Sequence, residues 1–245
     1  VHSFKLFRSD TTRANDTAES LLRRLGLVDP AAAAFLRGNS MARQALLGRA
    51  GRSVSAEASD RQELLSLTTR WINADTDSSF QRLVVEKHAQ GYITRLETAP
   101  LVASTRLAGG TIRSSLFAAT DEAKIPDTVA TQVAEVFSGN IDFHRALRKG
   151  DRFSIVYETL EADGEPLRAG RVLSTEFVNA GKTYQAMWFQ EQGQKGGYYN
   201  LDGESLRRAY LASPMEFSRV TSGFAMRVHP IFQTMRAHLG VDYGA

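Results

Sequence analysis

Two stretches of this sequence, roughly a hundred residues apart, follow one plan, and that repetition constrains the fold more than any single motif does. The first, "NDTAESLLRRLGLVDPAAAAFLR", reads as two short helices. Asp16 or Thr17 can cap the first, with Glu19 close behind at the positive N-terminal end. Leu21, Leu22, Leu25 and Leu27 supply an apolar face, and Gly26 stops the helix. Asp29 caps the next, with Pro30 at its first position, where a missing N–H costs nothing. "LLSLTTRWINA" and "FQRLVVEKHAQGYITRLE" then supply β-branched and aromatic runs, the second with a Gly near a turn, as paired strands do.

The plan returns in "GGTIRSSLFAATDEAKIPDTVATQVAEVF", again two helices, with Pro126 opening the second. "RKGDRFSIVYETLEADGEPLRAGRVLSTEFVNAGKTYQAMWF" follows as several strands broken at "ADGE" and "NAGK", both strong turn signals. The Ala- and Gly-containing "LVASTRLAGG" is the expected joint, and the Gly-rich "EQGQKGG" reads as a linker to a third piece. Strand signals recur there at Phe217 to Val220 and Phe224 to Val228. The expected fold class is α+β. Two small helix-plus-strand domains, residues 1–103 and 104–197, precede the opening strands of a mostly antiparallel β domain, residues 198–245.

The 245 residues include no cysteine, which excludes thiol catalysis, disulfides and Cys-ligated zinc. A metal site must then use His and carboxylates. The formal charge is only +3, with a pI near 9.3, and the basic residues are dispersed in pairs such as Arg23-Arg24 and Arg207-Arg208. No basic run alternates with aromatics, so no nucleic-acid footprint is indicated. Mild basicity suits an anionic surface such as a cell wall or a membrane face. No window reaches the roughly 18 apolar residues of a membrane span. The start on Val1 leaves room for a signal or inner-membrane anchor removed upstream.

"SGFAMRVHPIFQTMRAHLGVDYGA", Ser222 to Ala245, holds His238 and Asp242. Residues i and i+4 point to one side of a helix or a strand, and Gly240 between them favours an extended segment. On spacing alone, an exposed His beside an unrelated Asp is a far better explanation of the pair than half a zinc site. His88 and His144 stand in unrelated segments and are expected at the surface or in packing roles, and His2 is no closer.

The same segment resembles the start of the catalytic domain of the lysostaphin-like (LytM-type) zinc metalloendopeptidases, with their pattern S-x-F-G-x-R-x-H-P, a short loop and H-x-G-x-D-[FY]. The matching residues are Ser222, Phe224, Arg227, His229, Pro230, His238, Gly240, Asp242 and Tyr243; Ala225 replaces the usual Gly. "LDGESLRRAYLASPMEFSRVTSGF" and "SSLFAATDEAKIPDTVATQVAEVFSGNIDFHRALRKGDRFSIVYE" look like the preceding parts of the Gram-negative, envelope-associated multidomain subgroup. "DTAESLLRRLGL" is similar to its LysM-like module.

The resemblance implies that His238 and Asp242 are the first two ligands of a Zn2+ ion, with Arg227 and His229 supporting the cleft. It also implies that the third ligand and the catalytic histidines lie beyond Ala245, so that the catalytic domain is incomplete in this sequence. The implied activity is hydrolysis of peptide bonds in peptidoglycan, in the periplasm or envelope of a Gram-negative bacterium. The N-terminal domains would bind wall, or restrain the active site by placing an acidic side chain on the zinc. Two other classes stay open: an inactive LytM-type scaffold that activates a cell-wall amidase, and a purely wall-binding protein. The retained His238 and Asp242 count against both.

Overall fold

A computed structural model describes residues 4–206. The chain divides into two compact units: one comprises the chain to Val102 together with Ala162–Leu167, the other Ala103–Glu161 and the chain from Arg168. Helices and antiparallel sheets make up both, an α+β architecture.

In the first unit, strand β1 (Leu6–Thr11) leads into helices α1 (Ala18–Arg24), α2 (Pro30–Gly38) and α3 (Ser40–Leu46). Strands β2 (Ser53–Ala58), β3 (Leu64–Trp71), β4 (Ser79–His88) and β5 (Gly91–Pro100) follow. The sheet order is β1-β2-β3-β4-β5, so the helices sit in the connection between two antiparallel neighbours, β1 and β2. Thr17 caps α1 in a reciprocal pair with Ser20: the Thr17 hydroxyl accepts the Ser20 N–H at 3.1 Å, and Ser20 Oγ accepts the Thr17 N–H at 2.9 Å. Glu19 lies in the first turn of α1, as expected, and also pairs with Arg37. Leu21, Leu22, Leu25 and Leu27 are all buried, joined by Leu36 and Leu46 from α2 and α3 and by Val54, Leu64, Leu67 and Leu83 from the sheet. Each such side chain contributes about 1.5–3 kcal/mol. Helix α3 has no counterpart in the sequence expectation. Its buried residues are mostly alanine (Ala42, Ala45 and Leu46), and small side chains leave a faint apolar period.

The second unit takes β6 (Val102–Thr111), α4 (Leu116–Glu122), α5 (Asp127–Val136), β7 (Arg152–Ala162), β8 (Glu165–Asn179), β9 (Lys182–Phe189) and β10 (Gly197–Tyr199). Its strands lie in the order β10-β9-β8-β7-β6, the same meander entered by a strand before the helices. The repetition extends to single hydrogen bonds. After α1, Leu27 N–H reaches Leu22 C=O and Gly26 N–H reaches Arg23 C=O; after α4, Ile125 and Lys124 bond Thr120 and Asp121 in the same way. Gly26 and Lys124 both carry positive φ, 72° and 57°, the left-handed residue that ends a helix. Where the helices give way to strands, Thr12 exchanges bonds with Arg52 and Gly51, and Ile112 does so with Asp151 and Gly150. Phe177 centres the second core, with ring centroids 5.4 Å from Phe143, 6.0 Å from Phe153 and 6.4 Å from Phe137.

Both anticipated turns are two-residue hairpins: Asp163-Gly164 (φ 51° and 84°) and Ala180-Gly181 (φ 52° and 81°), as type I′ geometry requires. The tip that holds Asp163 belongs to the first unit. There Arg70 and Arg82 face each other across β3 and β4, a like-charge pair that would be repulsive alone. The Asp163 carboxylate accepts from both, at 2.9 and 2.6 Å from Arg82.

The unit boundary at Val102 falls within "LVASTRLAGG", the expected joint, most of which forms strand β6. Two readings need correction. "EQGQKGG" is not a linker but the connection between paired strands β9 and β10. An ideal Cβ on Gly196 would stand 2.1 Å from Trp188 Cζ2, so this glycine is demanded by close packing against the ring rather than by flexibility. A boundary between 197 and 198 would consequently cut β10.

Candidate functional site

His238, Asp242, Arg227 and His229 lie outside the described residues, as do the strand signals at 217–220 and 224–228. Among the described residues, no group of three or more His, Asp or Glu side chains is placed to hold a metal ion. His88 is half exposed, 3.5 Å from Glu86, and His144 is exposed in the turn whose Asp142 carboxylate accepts its N–H. Both are surface residues, as their sequence contexts indicate.

Grooves open in both described units. In the first unit, one of about 290 Å3 runs between α1 and α2, lined by Leu22, Arg23, Val28, Ala33 and the Glu19–Arg37 pair. Val28, at its rim, is 68% exposed. Its wall is rigid because Asp29 is fully used. One carboxylate oxygen caps α2 at Ala32 N–H (3.0 Å); the other accepts Leu64 N–H (3.0 Å) and Tyr92 Oη–H (2.9 Å). Burial would raise the Asp29 carboxyl, yet these donors hold it below its ordinary value, and burial together with the Asp29 charge pushes the Tyr92 phenol up.

Behind that groove, Arg24 clamps the buried Asp16 with both guanidinium nitrogens. Ser20 Oγ (3.1 Å) and Arg13 N–H (2.8 Å) add donors. The Asp16 carboxyl is held down to about 2, chiefly by the Arg24 bond.

In the second unit, an open groove of about 710 Å3 follows α5, lined by Phe117, Glu135, Asn140, Phe143 and His144. A polar groove of about 540 Å3 lies over the sheet, with Gln132, Glu158, Arg168, Arg171, Trp188 and Gln190 around it. The sequence did not point to this last cluster. Its members come from one helix, three strands and the residue that follows β9, and no periodicity links them.

Residues 103–226 match the family model for the second domain of Csd3. The chain is 29% identical over 171 residues to the peptidoglycan DD-endopeptidase ShyC of Vibrio cholerae, covering 69% of this chain and 39% of ShyC. It is 29% identical over 177 residues to the DD-carboxypeptidase/endopeptidase Mpg of Neisseria meningitidis, covering 69% of this chain and 41% of Mpg. A zinc containing peptidase from Vibrio cholerae superposes with a TM-score of 0.41 at 17% identity, over 82% of this chain and 59% of that one. The chain thus spans about two fifths of the curated relatives it matches. It belongs to the family defined by the Csd3 second domain, within the Gram-negative, multidomain subgroup of LytM-type proteins.

Proposed function

We propose that this chain is part of a zinc-dependent endopeptidase that hydrolyses peptide bonds of peptidoglycan in a Gram-negative envelope. The observation that carries the reading is that peptidoglycan peptidases are similar to this chain over most of its length, while His238 and Asp242 keep the H-x-G-x-D spacing in "HLGVD". An imidazole nitrogen and a carboxylate oxygen suit zinc as donors. When bound, the metal polarises the scissile carbonyl and supplies an activated water near neutral pH. Residues from Ser222 onward would open the catalytic domain, with Arg227 and His229 shaping its cleft.

The two helix-and-sheet units would serve as LysM-like wall-binding modules, or as a restraint over the catalytic cleft. Among the described residues no helix is long and apolar enough to cross a membrane, so an inner-membrane anchor would have to come from another segment. The test uses the longer protein that carries this chain, incubated with purified peptidoglycan. Wild type should convert peptide-cross-linked dimers to monomers, read after a separate muramidase digestion, and His238→Ala and Asp242→Ala should leave the cross-links intact while still binding the polymer. Equal loss of cross-links with the variants would sink the reading.

A further inference from the structure

Strands β8 and β9 pair from Asn179↔Lys182 as far as Ser174↔Met187. Beyond that point β9 turns to β10, where Trp188 faces Tyr198, and the two strands part. The edge of β8 exposed by the split is sealed by side chains. Gln132 of α5 donates to Gly170 C=O at 2.9 Å and accepts Val172 N–H at 2.8 Å, as a neighbouring strand would. Tyr198 Oη–H takes Val172 C=O at 2.9 Å. The split is thus a built feature with its backbone satisfied, and the polar groove of about 540 Å3 opens on it.

Arg168, Arg171 and Glu158 line that groove; Arg168 donates to Ala169 C=O at 3.3 Å, while Arg171 and Glu158 make no ion pair with each other. Arg171 is exposed, its guanidinium carbon 3.5 Å above the centre of the Trp188 ring. A guanidinium stacked on a ring uses its face and keeps its in-plane N–H groups available for a carboxylate. Arg24, Arg70, Arg82 and Arg95 each hold a carboxylate; among the described residues Arg171 holds none. Glu158, on the adjacent strand, has no basic partner among them either. It crowds Gly170, where an added Cβ would lie 3.0 Å from Glu158 Cβ. A plain anion would be repelled by Glu158 and a plain cation by Arg171, whereas a ligand carrying both charges satisfies each.

We propose that this groove binds a free amino-acid end, its carboxylate on the Arg171 fork and its ammonium on Glu158, with Gln190 at the rim. Resting on the peptidoglycan reading above, the occupant would be the uncross-linked zwitterionic end of a stem-peptide side chain.

Diaminopimelate, which presents such an end, serves as the probe in calorimetric titration of the 245-residue chain. Pimelate lacks the ammonium groups and 1,5-diaminopentane lacks the carboxylates. Diaminopimelate should bind, and both analogues should bind at least about tenfold more weakly. Arg171→Lys keeps the charge but loses the fork, and it should weaken diaminopimelate by about tenfold at an unchanged unfolding midpoint. Glu158→Gln should weaken diaminopimelate and spare pimelate. No binding of diaminopimelate overturns the proposal. So does equal binding of pimelate, or wild-type affinity in Arg171→Lys. The titration needs no peptidase activity: binding without cleavage by the longer protein would sink the endopeptidase reading alone, and cleavage without binding would sink this site alone.

Discussion

Tyr92 donates its phenolic hydrogen to the Asp29 carboxylate at 2.9 Å, on the same oxygen that accepts Leu64 N–H. One side chain therefore joins the start of α2 to β3 and β5. Asp29→Ala removes a helix cap and strands the Leu64 N–H, while the Tyr92 hydroxyl keeps Leu64 C=O at 3.1 Å. It should cost about 2–4 kcal/mol, whereas Tyr92→Phe, which removes only one donor, should cost about 1 kcal/mol. Denaturant midpoints followed by Trp71 fluorescence check both. Equal losses in the two variants would show that the cap and the Leu64 bond contribute nothing.

Acid should find Asp16 late. Its carboxyl is lowered from an ordinary 3.8 to about 2 by the Arg24 clamp. A group with a depressed folded value contributes stability that is complete above its unfolded pKa and is lost as pH falls through the folded one. The contribution should therefore fade between about pH 4 and pH 2. Asp16→Asn, measured across that window, should show a flatter loss of stability than wild type. Parallel curves would refute the assignment.

Ala180 holds φ 52° in the β8–β9 turn, with its N–H on Asp151 Oδ1 at 3.0 Å. Alanine is strained there and asparagine is not. Ala180→Asn keeps the hydrogen bond and should stabilise the chain by about 0.5–1 kcal/mol, seen as a higher melting temperature.

Gly196→Ala should act in the opposite direction. The new methyl would fall 2.1 Å from a rim carbon of Trp188, and neither the ring nor the hairpin backbone yields cheaply. A loss of about 1–3 kcal/mol is expected, together with a changed Trp188 emission as the ring shifts off Arg171. Unaltered emission and stability would mean that the β9–β10 connection is as slack as its composition suggests.

The restraint model also gains a defined cut. Because β6 begins at Val102 and runs to Thr111, truncation near Gly109 would destroy a strand of the second sheet. A longer protein starting at Ala103 retains nearly the whole strand. Higher peptidoglycan hydrolysis by that form, at equal stability, would support restraint by the first unit. Equal activity would leave the unit a wall-binding role alone.

Local chemistry was what the sequence could determine here. Caps at Thr17 and Asp29, the stop at Gly26 and the turns at Asp163-Gly164 and Ala180-Gly181 depend on bonds within a few residues, so they are written in neighbouring letters. The repeated plan was legible for the same reason, and His238 and Asp242 stand out through the longer pattern that begins at Ser222. Tertiary structure alone decided the rest. Gly196 reads as flexible until Trp188 is packed on it, and α3 shows only once its alanines meet the sheet. β6 becomes a strand by joining residues after the helices. Arg171, Glu158, Gln132 and Trp188 form a groove only where β8 and β9 part, a consequence of register across the sheet. Contacts between residues distant in sequence depend on how strands align, and no local pattern of side chains encodes that alignment.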